Sequence, residues 1–168
     1  MHQSAADRHG VVALDAIRKL IRALGESARM AQGRTGISGA QLFVVRVLAA
    51  QPGGLSINEL AERTMTHQSS VSVVVTRLAS RGLVTRAPSP DDRRRQIVTL
   101  TPRGRALHRT APAVAQEMLV AAIRALSPAR RRALATSLRA LTDTLGLSDQ
   151  TAAPMFFEEE DRPHARPS

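Results

Sequence analysis

Cysteine, tryptophan and tyrosine are absent from this chain, Lys19 is its only lysine, and phenylalanine occurs three times. Without cysteine there is no disulfide, no thiol sensor and no thiolate metal site. Without Trp and Tyr the interior must be assembled from Leu, Val, Ile, Ala and Met, a palette that favours helices packed through aliphatic stripes. The same absence removes the aromatic platforms on which RNA readers stack bases. No window approaches the roughly 18 apolar residues of a membrane span, and the N-terminus lacks a basic-then-apolar signal pattern, so a soluble cytoplasmic protein is expected. The histidines, His2, His9, His67, His108 and His164, show no paired metal-ligand spacing, and neither a glycine-rich phosphate loop nor a nucleophile elbow occurs. The expectation is therefore no metal, no cofactor, no catalytic residue and no enzyme.

What the chain has in abundance is arginine. A formal charge of +10 and a pI near 11.7 point to a polyanionic partner, because clustered guanidinium groups neutralise phosphates and release their counterions. At 168 residues the length suits one domain with a small appendage.

Helical periodicity begins near residue 10, after a polar stretch expected to be flexible over 1–9, and runs through Leu14, Ile17, Ile21, Leu24 and Ala28 to Gly33 and Gly36. Ser38 and Gln41 form a Ser-x-x-Gln capping box for a second helix, whose Leu42, Phe43, Val44, Val45, Val47 and Leu48 leave Arg46 as the one strong polar interruption. A helix apolar almost all round belongs at the centre of a core. After the turn at Pro52, Gly53 and Gly54, a second box, Ser56 with Glu59, opens a short helix burying Ile57, Leu60 and Ala61. Thr66 or His67 caps the next, in which Val71, Val74, Val75 and Leu78 recur at helical spacing before Gly82. Strand candidates at Leu83 to Ala87 and Gln96 to Thr101 flank a hairpin tip rich in Pro, Asp and Arg. Thr101-Pro102 and Ser127-Pro128 open a fifth and a sixth helix, the sixth repeating Leu134, Leu138, Leu141 and Leu145 on one side. From residue 147 the pattern collapses into an acidic, proline-containing tail read as disordered.

Two short helices joined by a tight turn and followed by a basic hairpin are what a protein needs to set one helix in a major groove while a wing reaches the neighbouring backbone or minor groove. If the valines of the second short helix face inward, its opposite stripe is Ser69, Ser72, Val73, Thr76 and Ser80, flanked by Gln68, Ser70 and Arg77. Small hydroxyls allow close approach to DNA, glutamine pairs with adenine, and Val73 suits a thymine methyl. Arg93, Arg94 and Arg95 at the hairpin tip repel one another and gain from an arriving counter-charge, which Asp91 and Asp92 supply only in part. The leucine and isoleucine stripes at the two ends, Leu14, Ile17 and Ile21 with Leu134, Leu138 and Leu141, predict a two-fold dimer.

The run from Asp92-Arg93-Arg94-Arg95 through Val98 to Leu100-Thr101 and Gly104 resembles the wing signature of MarR regulators. Leu60-Ala61 through Val71, Ser72, Arg77-Leu78 and Arg81-Gly82-Leu83-Val84 resembles that family's helix-turn-helix, and Ser38-x-x-Gln41 the opening of its second helix. The resemblance covers about residues 10–146. It implies a mainly α winged helix-turn-helix fold with a small β-hairpin wing, a DNA-binding part at about 38–101, and dimerisation helices at about 10–33 and 102–146. Its implied element order is helix-helix-strand-helix-helix-strand-strand-helix-helix. By the same resemblance Arg94 enters the minor groove, Asp92 orients it, Gln68, Ser69, Ser70, Ser72 and Val73 lie on the recognition helix, and Arg77 sits near the phosphate backbone. The implied function is a homodimeric, sequence-specific DNA-binding repressor on a palindromic operator, released by a small-molecule effector lodged between the dimer and DNA-binding regions. The pocket for it is expected between the first, second and fifth helices. The alternative reading is a winged-helix module serving as a nonspecific nucleoid protein or binding a protein partner. Arg130, Arg131 and Arg132 depart from the family pattern, because they sit at the positive dipole end of the sixth helix.

Overall fold

The computed structural model describes residues 5–89 and 95–147, with side chains from residue 8 onward. Helix α1 spans Ala5–Thr35. It starts ahead of the apolar periodicity because Ala5 and Ala6 are strong helix formers and no proline or glycine intervenes before Gly10. It stops at Gly36, whose φ of +71° is the left-handed closure that L side chains avoid.

Helix α2, Gly39–Ala49, opens on the expected capping box: the Gln41 amide donates to Ser38 Oγ at 3.2 Å and the Ser38 amide to Gln41 Oε1 at 3.1 Å. Leu42, Phe43, Val44, Val45 and Leu48 are all buried, so α2 is the axis of the core as its pattern predicts. Arg46 leaves the core sideways to an ion pair with Glu117 at 2.6 Å. Strand β1, Leu55–Ser56, leads into α3, Ile57–Thr64, and α4, Gln68–Ser80. Strands β2, Val84–Pro88, and β3, Gln96–Leu100, follow. The sheet is antiparallel in the order β1-β3-β2. Thr85 lies opposite Thr99, their hydroxyls 3.0 Å apart. Pro88, with no N–H to give, is tolerated because β2 is an edge strand.

Three more helices follow among the described residues: α5, Pro102–Thr110, α6, Ala115–Ala125, and α7, Pro128–Thr144. A single fifth helix was the expectation, and the structure divides it. Pro112 cannot donate an amide hydrogen bond and disfavours helical geometry at Ala111, which is extended at ψ 142°. The break turns Val114 fully into the core and lets the Ala115 amide reach Ser27 Oγ of α1 at 2.8 Å.

The core gathers around α2 from α3, α4, β3 and the break before α6. No residue of α7 is buried. No helix among the described residues is long and apolar enough to cross a membrane.

Candidate nucleic-acid interface

The candidate interface is built on a helix-turn-helix whose geometry is set locally at each joint. Glu59 accepts from the Ser56 amide at 2.8 Å and the Ser56 hydroxyl at 2.6 Å, closing the α3 capping box. These two bonds, with Arg95 nearby, hold the Glu59 carboxyl below the ordinary value of 4.5. Met65 then takes a left-handed φ of 53°, and the Thr66 amide returns to the Ala61 carbonyl at 3.0 Å, which sharpens the turn. His67 occupies the N-cap of α4 without a side-chain capping bond, so of the two expected caps neither supplies one.

Along α4 the inward face is the predicted one: Val71, Val74, Val75 and Leu78 are fully buried. Burying that face leaves Gln68, Ser69, Val73, Thr76 and Ser80 exposed and Ser72 and Arg77 half-buried. Ser70 is a correction. It is 7% exposed, because one step before Val71 on the helix it turns toward the core, so it offers no groove-reading group. A side chain of Val73's size at 44% exposure has no core reason to point outward.

Arg86 of β2 was not singled out from sequence, yet it ties the hairpin to α4. Its Nη2 donates to Thr76 Oγ1 at 2.7 Å and to the Ser72 carbonyl at 3.4 Å, while Thr76 Oγ1 itself donates to the Ser72 carbonyl at 2.8 Å. By strand alternation Arg86 shares the face of buried Val84 and lies opposite buried Val98, which turns it toward the helices without saying which helix it meets. Arg95, expected among the DNA-binding arginines of the tip, stands just before β3 with Nη2 3.4 Å from Glu59 Oε2. Asp92, Arg93 and Arg94 lie outside the described residues.

Gly104 joins α5 to the base of the hairpin. A Cβ there would collide with the Leu83 carbonyl oxygen and meet Leu100 Cδ2 at 3.2 Å, so the glycine of the Leu-Thr-x-x-Gly pattern is a close-approach glycine. Thr101 Oγ1 donates to the Gly82 carbonyl at 2.7 Å and accepts from the Gly104 amide at 3.1 Å, locking the same corner.

A cleft of about 440 Å³ opens beside α5. Leu48, Ala49, Pro52 and Leu100 supply apolar walls, and Gln51, Arg105, His108 and Arg109 supply polar groups. It lies between α2, the turn after it and α5. Residues of α1 do not line this cleft; α1 packs against α2 and α6. His108 Nδ1 is buried with no hydrogen-bond partner. Among the described residues no cluster of His, Asp and Glu could hold a metal ion.

The sequence-predicted dimerisation residues remain without a cover in the single chain. Leu14, Ile21, Leu134, Leu138 and Leu141 are exposed, Ile17 is half-buried, and Leu24 alone of the first stripe's large residues is buried.

A short helix pair, a recognition helix with an outward polar face, and a three-stranded wing packed on a central helix define a winged helix-turn-helix protein. The MarR family model matches residues 35–95. The chain is 36% identical over 101 residues to a Thauera aromatica protein assigned as a transcriptional regulatory protein for the hcr operon. That match takes in 60% of each chain, so this chain spans less than two thirds of the relative's length. A MarR family regulator from Streptomyces coelicolor, solved in complex with DNA, superposes with a TM-score of 0.59 over 92% of this chain and 97% of its own, at 23% identity. BpsR of Bordetella bronchiseptica, whose DNA binding is regulated by 6-hydroxynicotinic acid, superposes with a TM-score of 0.54 over 85% of this chain and 99% of its own, at 27% identity. The chain is thus similar to MarR family proteins in its helix-turn-helix and wing region, residues 35–95, and in its fold.

Proposed function

We propose that this protein is a transcriptional regulator, and not an enzyme, that binds double-stranded DNA sequence-specifically as a homodimer on a palindromic operator. The observation that carries this reading is the division of α4. Its four large aliphatic residues are fully buried, and Gln68, Ser69 and Val73 stand exposed beside a hairpin anchored by Arg86. In this reading Gln68, Ser69, Ser72 and Val73 read base edges, and Arg77 lies at the backbone. Arg94 with Arg93 and Arg95 reaches the adjoining groove, with Asp92 orienting the wing. Residues 38–101 form the reading part, and the helices at 10–33 and 102–146 the dimer stem. Selection of bound sequences from random duplex DNA tests it. A palindrome with half-sites about one helical turn apart is expected, whereas recovery of unselected sequence would favour a nonspecific nucleoid protein.

The cleft beside α5 suits a small organic anion with an apolar body. Its volume is that of a ligand pocket, two guanidinium groups and an imidazole meet four apolar side chains there, and no acidic residue lines it. The Bordetella relative's response to 6-hydroxynicotinic acid makes that compound the first probe. The expected result is release of DNA at a lower concentration from the parent than from an Arg105→Ala or His108→Ala variant. Equal release from all three would place the effector elsewhere.

A further inference from the structure

We infer that Arg124 is a positioning residue for DNA binding: a strut that fixes the angle between the dimer stem and the helix-turn-helix, and so sets which half-site spacing the protein accepts. The inference rests on the dimeric reading above. It starts from the ends of α6. Near its N-terminus α6 is pinned by the Ala115 amide on Ser27 and by the Arg46–Glu117 ion pair at 2.6 Å. At its other end Arg124 Nη2 donates to the carbonyls of Glu62 at 2.9 Å and Arg63 at 3.0 Å. Those carbonyls close the last turn of α3, where a helix leaves acceptors unsatisfied and its dipole favours a cation. They also sit just before Met65, the left-handed residue on which the chain turns into α4.

A second arginine continues the path. Arg131 of α7 donates from Nη2 to the carbonyls of Arg124 at 2.8 Å and Leu126 at 3.1 Å. Arg131, unfavourable for the dipole of α7 at whose start it stands, is thus offset by carbonyls at and just after the end of α6. Guanidinium groups therefore link the leucine-striped α7 to the end of α6, and the end of α6 to the turn of the helix-turn-helix.

Geometry explains why this matters for spacing. Glu117 and Arg124 are seven residues apart in a helix, about 10 Å. Attachment at both points fixes the direction of α6. Loss of Arg124 leaves a pivot at Glu117, about which α6, and α7 attached to it, swing relative to the reading head. In a two-fold dimer each swing changes the separation of the two recognition helices, which must match the duplex repeat.

The test uses the full chain and its selected operator, remade with the spacer lengthened or shortened by one and two base pairs. The parent should lose about tenfold or more in affinity per change of spacer, a penalty like that of a mismatched base pair. Arg124→Ala, a change at an exposed side chain, should remain a folded dimer with the same half-site preference, yet bind the spacer series within about threefold. Arg131→Ala should flatten the profile in the same direction, and Arg124→Lys should restore part of it. An Arg124→Ala profile as steep as the parent's, or a uniform loss at every spacing, would overturn the strut. A parent chain that is monomeric or has no palindromic preference would overturn the dimeric reading itself, and is recognised before any variant is made.

Discussion

Gly104 is the residue whose role is clearest from its surroundings, because any side chain there meets the Leu83 carbonyl and the corner between wing and α5 has no slack. Gly104→Ala is expected to lower stability by about 1 to 3 kcal/mol through overpacking, read as a lower urea midpoint at unchanged slope. Stability equal to the parent's would mean that the corner relaxes freely. Glu59 carries a pH dependence. The hydrogen bonds from Ser56, with Arg95 beside them, lower its folded-state pKa, so its contribution is complete above the ordinary value of 4.5 and is lost as the pH falls through the lowered one. The acid limb of a stability-versus-pH curve should be shallower in Glu59→Gln than in the parent. Parallel curves would show that the pair at the wing base is too solvated to matter. At this scale sequence reading was good where the signal is local. Both capping boxes and the inward valines of α4 follow from spacing alone. It is weaker where partners are distant: the spacing sets Ser70 at the edge of the outward face although it is buried, and it carries no sign of the pairing of Arg95 with Glu59 across 36 positions or of Arg86 with Thr76.

Among the elements, α7 is the least explained by the single chain. Leu134, Leu138, Leu141 and Leu145 are 37%, 47%, 42% and 61% exposed on one helix, and none of its residues is buried. A leucine stripe of this kind on an uncovered helix gains by burial against a second copy, at about 1.5 to 3 kcal/mol for each fully covered leucine. Leu138→Asp or Leu141→Asp should therefore shift sedimentation from dimer to monomer, because a charge in an aliphatic seam is strongly unfavourable. A dimer that survives both would place the seam elsewhere. The element order was legible because most ends carry their own caps and glycines. The division of the fifth helix was not read, although Pro112 marks it, since what stabilises the break is the burial of Val114 and the Ser27 bond, which depend on α1 lying alongside.

For the whole molecule, a charge of +10 would attract any duplex, so affinity alone says little about a regulator. What separates sequence reading from charge attraction is how binding divides between cognate and scrambled DNA. On the proposed reading both terms are present, the arginines meeting the backbone and the exposed face of α4 the bases. Replacing Ser72 or Val73 should change sequence preference while leaving the salt dependence of binding nearly unaltered, and the reverse pattern would move those residues to the backbone. The most direct measurement is the affinity of the parent dimer for its selected operator and for a scrambled duplex of equal length at physiological salt. The account predicts a ratio of about 10³ or more, and a ratio near one would contradict it.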